Sequence, residues 1–80
     1  MKRRVLREMV AEVIDADPDA LAPETELRGL PGFDSVNLLS LMISLDERAN
    51  IKLGPELASR LRVYGEIEEA ARAQGIVLED

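Results

Sequence analysis

The sequence of 80 residues predicts an all-α fold, on three observations. Apolar residues recur every three or four positions in three long segments, which is the period of one face of an α-helix. Proline and glycine separate these segments and mark where helices end. The one strand-like stretch, residues 51–53, is too short to build a sheet. We therefore expect a four-helix bundle with three longer helices, one short third helix and a long first loop.

The first helix is predicted over residues 3–16, and it should end near Asp17 and Pro18, because the residue before a proline disfavours helical dihedrals. Its apolar stripe contains Val5, Leu6, Met9, Val10, Val13 and Ile14. The early cations are interpreted as a solvated face of this helix, and they are Lys2, Arg3, Arg4 and Arg7.

A long loop is predicted over residues 17–33, which contain three prolines and two glycines. Leu21, Leu27 and Leu30 are spaced along it, and we expect them to hold the loop against the core. A loop longer than about 12 residues in a compact domain is often functional.

The second helix is predicted over residues 35–50 and is apolar around more than half of its circumference. This excess lies at the centre of the bundle or is kept for a partner. Its core residues are predicted to be Leu38, Leu41, Met42, Leu45 and Ala49. Asp34 should cap the helix, which leaves the Ser35 hydroxyl exposed at the positive end, where a phosphate is favoured. Taken alone, these two residues are typical of any helix start.

The last part of the chain contains two further predicted helices. Proline at a first helical position predicts a short helix over Pro55–Arg60, and apolar spacing predicts a final helix over residues 64–74 that Gly75 ends. Residues 76–80 are expected to be a tail. The whole chain, residues 1–80, is predicted to be a single domain with its core at about 5–74.

Composition excludes several classes of function. The chain has 16 acidic and 10 basic residues, a formal net charge of -6, which argues against nucleic-acid binding. It contains no Cys and no His, so the commonest metal ligands and the commonest general base are missing. The acidic pairs Asp15 with Asp17 and Glu68 with Glu69 are interpreted as solvated charge. We therefore predict no metal site and no enzymatic activity.

No apolar run approaches the roughly 18 residues of a membrane span, so we expect no membrane insertion. The charged N-terminus, which lacks an uninterrupted apolar core, does not match a secretory signal. A cytoplasmic location is the expectation.

A set of spaced motifs resembles the acyl carrier protein family. These are Gly32-x-Asp34-Ser35-Val36, then Leu39, the run from Leu41 to the acidic pair Asp46-Glu47, and Ile51-x-Leu53. The order of helices, the long first loop and the glycine beside Tyr64 match as well, so the resemblance covers residues 5–71. It implies a four-helix bundle of the acyl-carrier type.

The resemblance implies that a separate phosphopantetheinyl transferase attaches a 4'-phosphopantetheine arm from coenzyme A to Ser35. The thiol of the arm would carry an acyl group as a thioester among enzymes that dock on the second helix. Expected partners are an acyl-loading ligase or adenylating enzyme and a downstream synthase or acyltransferase, acting on a monomer. The implied partner-contact positions are Val36, Asn37, Ser40, Ile43 and Glu47.

Two positions depart from the fatty-acid-synthesis carriers, which have acidic residues where this chain has Asn37 and Ser40. The family usually has an aromatic residue near the end of the second helix, and this chain has Ala49 at that position. These departures favour a specialised pathway, such as polyketide synthesis or the modification of a lipid or saccharide. Two alternatives stay open: an aminoacyl or peptidyl carrier of a nonribosomal-peptide-type pathway, and a helical interaction module that never takes an arm.

Overall fold

The computed structural model describes residues 1–80, which form four α-helices and no strand. The helices are α1 (Arg3–Ile14), α2 (Ser35–Ala49), α3 (Pro55–Arg60) and α4 (Gly65–Ala73). The long connection between α1 and α2 contains two 3₁₀ turns, Pro18–Ala20 and Leu27–Gly29. The predicted all-α bundle with a short third helix is confirmed. None of the helices is long and apolar enough to cross a membrane.

Helix α1 ends two residues earlier than the sequence predicts. Asp15 adopts left-handed backbone angles, with φ 54° and ψ 48°, and its N–H donates to the carbonyl oxygen of Ala11. Aspartate tolerates this conformation better than most residues do. Asp15 therefore ends the helix, three residues before Pro18.

A single cluster of buried side chains joins α1, α2, α4 and the long loop, and Leu57 of α3 packs against it. Leu21 and Leu27 are buried and Leu30 packs against the cluster, so the prediction that these three leucines hold the loop on the core is confirmed. The other fully buried members include Leu6, Val10, Ile14, Leu41, Leu45, Ile51, Leu61, Tyr64 and Ile67.

Helix α2 packs against α1 and divides its apolar residues between two faces. Leu41 and Leu45 are fully buried. Leu38, Met42 and Ala49 are half-buried against the core, as their predicted core positions require. The remaining apolar residues of this helix, which are Val36, Leu39 and Ile43, are exposed.

The predicted tail is wrong, because residues 76–80 run alongside the start of α1. The Arg3 N–H donates to the Glu79 carbonyl oxygen at 2.7 Å, and the Glu79 N–H donates to the Met1 carbonyl oxygen at 2.9 Å. Ile76 and Leu78 pack against the core. Burial alternates along this segment, because Val77 and Glu79 are exposed, as expected for extended backbone lying on a core.

The interpretation of Glu68 as solvated charge is also wrong. Its side chain is only 2% exposed, and its Oε1 lies 3.2 Å from Arg3 Nη2 and 3.5 Å from Arg72 Nη2. Buried carboxylates require such partners, since desolvating an unpaired charge is costly. Arg3, whose side chain is 25% exposed, also pairs with the exposed Asp80 at 2.8 Å, so it is held between two carboxylates rather than lying free on a solvated face.

Two polar atoms beside this network have no hydrogen-bond partner. They are Arg7 Nε and the Tyr64 hydroxyl, both of which are buried. Burial and the nearby carboxylate of Glu68 raise the pKa of Tyr64 well above its ordinary value. The phenol therefore stays neutral in the core.

Glu66 stabilises the start of α4. Its Oε1 accepts hydrogen bonds from the Val63 N–H at 2.9 Å and the Arg62 N–H at 2.6 Å. These bonds hold the pKa of the Glu66 carboxyl below its ordinary value of 4.5. A lowered folded-state pKa stabilises the fold above the ordinary pKa, and this stabilisation is lost as the pH falls through the folded value.

We expect Glu66→Gln to flatten the dependence of the free energy of unfolding on pH below about pH 4.5. The amide oxygen still accepts both bonds but no longer titrates, and the effect should be less than about 1 kcal/mol because solvent screens the group. Urea unfolding at a series of pH values measures it, with Glu69→Gln, which removes the same charge at an exposed position of α4, as the control. Equal pH dependence in both variants would contradict the role of Glu66.

Candidate functional site

Ser35 is the first residue of α2, and its side chain is exposed. Asp34 precedes it in an extended conformation, with φ -127° and ψ 178°, and caps the helix. The Asp34 Oδ1 accepts a hydrogen bond from the Asn37 N–H at 2.8 Å. This cap satisfies one of the free backbone donors of the first turn and fixes where the helix begins.

The side chain of Asn37 holds the preceding loop against the same turn. Its Nδ2 donates to the Gly32 carbonyl oxygen at 2.6 Å, and the residue is half-buried. Gly32 in turn lies against the end of α1, where an added Cβ would come within 1.8 Å of the Ile14 carbonyl oxygen. The backbone on both sides of Ser35 is therefore fixed. Contact between Asn37 and a partner stays a prediction.

An open cleft of about 440 Å³ lies beside Ser35. It is bounded by the head of α2, the loop before it and the end of α3. Its lining residues are Arg28, Phe33, Asp34, Ser35, Leu38 and Ser59. Arg28 and Ser59 were not among the predicted site residues, since no local pattern in the sequence indicates that α3 folds back toward the loop.

Arg28 is anchored to the C-terminal end of α3. Its Nε donates to the Leu61 carbonyl oxygen at 3.1 Å, and its Nη2 donates to the Ser59 carbonyl oxygen at 2.9 Å. The guanidinium carbon lies 6.0 Å from the centroid of the Phe33 ring. These contacts hold a positive charge at the cleft that contains Ser35.

The outward face of α2 carries an apolar stripe, which we call the outer stripe and define as Val36, Leu39 and Ile43. Their side chains are 74%, 57% and 51% exposed. At 100° per residue the three positions fall within about 60° of one another. Ser40 and Glu47 are exposed on the same helix. Leu39 was absent from the predicted contact positions, although the same helical spacing includes it.

A second hollow of about 270 Å³ adjoins the outer stripe. It lies between α2 and the segment that follows it, and it is lined by Leu39, Met42, Ile43, Asp46, Lys52, Leu53 and Gly54. No three carboxylate side chains converge anywhere in the chain in a way that would hold a metal ion. The features around Ser35 are thus an exposed hydroxyl, a cleft and an apolar surface.

A family model described as a phosphopantetheine attachment site matches residues 4–71. The chain is also 26% identical over 62 residues to an acyl carrier protein from Wolinella succinogenes, covering 78% of this chain and 82% of that protein.

The chain therefore belongs to the acyl carrier protein family, whose members bear covalently attached 4'-phosphopantetheine and act as carriers rather than as catalysts. The residues present fit such an arm. The Ser35 hydroxyl is exposed, the adjoining cleft is open, and Arg28 provides a positive charge in it. The prosthetic group supplies the thiol that this chain, which has no Cys, does not contain.

Proposed function

We propose that Ser35 is the residue that receives the 4'-phosphopantetheine arm. The Ser35 Oγ forms a bond to the phosphorus that bears the pantetheine portion of coenzyme A, and the diphosphate P–O bond breaks. Adenosine 3',5'-bisphosphate leaves, and the hydroxyl proton is released. A separate phosphopantetheinyl transferase performs this step, since members of this family act as carriers rather than as catalysts.

The exposed position of Ser35 at the head of α2 supports this proposal most directly. Its side chain lines the open cleft there. Intact mass measurement after incubation with coenzyme A and a promiscuous transferase tests the proposal. The protein should gain one arm and no more.

We further propose that the chain is a monomeric carrier of a specialised pathway, in which the loaded arm passes a thioester from an acyl-loading ligase to a downstream synthase or acyltransferase. The whole of residues 1–80 acts as one carrier domain in the cytoplasm, where coenzyme A is available. Support for a specialised pathway comes from Asn37 and Ser40, which are neutral where fatty-acid-synthesis carriers are acidic.

An aminoacyl or peptidyl carrier is the second candidate, and the same neutral first turns of α2 favour it. Loading assays with an adenylating enzyme and amino acids, compared with an acyl ligase and fatty acids, separate the two candidates. Membership of a family whose members bear the arm argues against an unmodified interaction module.

The docking surface that we propose is the outer stripe together with Asn37, Ser40 and Glu47. Large apolar side chains that stay exposed in line on one helix are typical of a binding surface rather than of a solvated face. The stripe begins one residue after Ser35, so an enzyme that covers it also reaches the arm.

We expect Val36→Ala to lower kcat/KM for arm attachment about tenfold, because an apolar contact at the centre of an interface contributes about 1–2 kcal/mol. Val77→Ala is the matched control. Val77 is 71% exposed against 74% for Val36, and it lies in the C-terminal segment. Steady-state kinetics of the transferase measure the effect. Equal losses in the two variants would show that the stripe is not where the enzyme binds.

A further inference from the structure

The cleft beside Ser35 contains one positive charge. Of its six lining residues, Arg28 is basic, Asp34 is acidic and the others are neutral. A guanidinium has five N–H donors. Two of them donate to the carbonyl oxygens of Leu61 and Ser59, which leaves three for a ligand.

The position of Arg28 is set by the fold. The two carbonyl oxygens and the nearby Phe33 ring hold a side chain that would otherwise lose considerable entropy on binding a ligand. A guanidinium held in this way is pre-organised for an oxyanion, and planar Arg donors suit phosphate oxygens in particular.

The charge balance at Ser35 favours a cation beside the arm. A phosphodiester on the Ser35 Oγ would carry a negative charge next to the carboxylate of Asp34, which is committed to the helix cap. Like charges at such short range repel each other. The remaining lining residues, Phe33, Leu38 and Ser59, offer no compensating charge.

We propose that Arg28 binds the phosphodiester of the arm and holds the first part of the arm in this cleft, an inference that rests on Ser35 as the attachment site. Arg28 is then a positioning residue. It fixes the direction in which the arm leaves α2, while the linkage to α3 makes that direction depend on the packing of α3 against the loop.

The test is ³¹P NMR on the arm-bearing protein, comparing the wild type with Arg28→Gln and Arg62→Gln. The control removes the same charge from an exposed residue outside the cleft. In Arg28→Gln we expect the phosphodiester resonance to move to the position of free phosphopantetheine linked to a serine peptide, and about tenfold less of the arm to stay docked. In Arg62→Gln the resonance should stay at the wild-type position.

A second measurement needs no substitution, in case Arg28→Gln weakens the link between loop and α3. The side-chain N–H resonances of Arg28 in the wild-type protein should shift when the arm is attached, and added salt should partly reverse the shift. Unchanged Arg28 and ³¹P resonances on attachment of the arm would overturn the inference. It would also be overturned if the Arg28 resonances shifted only when the arm carried a cargo with a carboxylate. Absence of any mass gain in the wild type would instead contradict Ser35 as the attachment site.

Discussion

Replacing Ser35 by alanine is expected to abolish attachment of the arm completely while leaving the fold intact. The hydroxyl is the atom to which the phosphodiester bond forms, so no residual rate is expected. Ser35 is exposed and its side chain makes no hydrogen bond in the fold, and alanine favours a helix at least as well as serine does. Intact mass after incubation with coenzyme A and transferase measures the loss.

Ser44→Ala is the matched control for this experiment. Ser44 lies on the same helix, two turns and more beyond Ser35, and it lines neither the cleft nor the outer stripe. It should take up the arm at the wild-type rate. A mass gain in Ser35→Ala equal to that of Ser44→Ala would contradict the assignment of Ser35.

Replacing Gly32 by alanine is expected to destabilise the fold by about 3 kcal/mol, the upper end of the roughly 1–3 kcal/mol that overpacking typically costs, because the added Cβ would meet fixed backbone atoms. A Cβ at this position would lie 1.8 Å from the carbonyl oxygen of Ile14 and 2.9 Å from its carbonyl carbon. Both are backbone atoms of α1, so neither can rotate away. The loop must shift, and the bond from Asn37 to Gly32 shifts with it.

Gly29→Ala tests whether this effect belongs to the position or to glycine in general. Gly29 lies three residues earlier in the same loop, and a Cβ there meets nothing within 4 Å. This substitution should raise the free energy of unfolding by no more than about 1 kcal/mol, because alanine restricts the unfolded chain. Urea unfolding of both variants decides. Equal midpoints would show that the loop does not approach α1 this closely.

Local signals in the sequence predicted α2 and α3 well. Asp34 is followed by a long apolar helix, and Pro55 is preceded by glycine, so each start is marked by residues that act on their own backbone. The helices observed, Ser35–Ala49 and Pro55–Arg60, begin where those residues indicate. The position of Ser35 at the head of α2 could be predicted for the same reason.

Features that depend on distant parts of the chain could not be predicted in this way. Arg28 finds its acceptors 31 and 33 residues away, and Glu68 meets Arg3 65 residues away. Neither spacing leaves a local pattern. Asp15 is a different case, because a left-handed aspartate ends α1 without the glycine that usually marks such a cap.

Peptide mapping by tandem mass spectrometry determines, on the unaltered protein, whether Ser35 bears the arm. The chain offers four serines, at positions 35, 40, 44 and 59. After incubation with coenzyme A and transferase, the phosphopantetheine group should be found on the peptide that contains Ser35, with the modified residue assigned to Ser35 itself. An arm located on Ser40, Ser44 or Ser59 would rule out Ser35 as the attachment site.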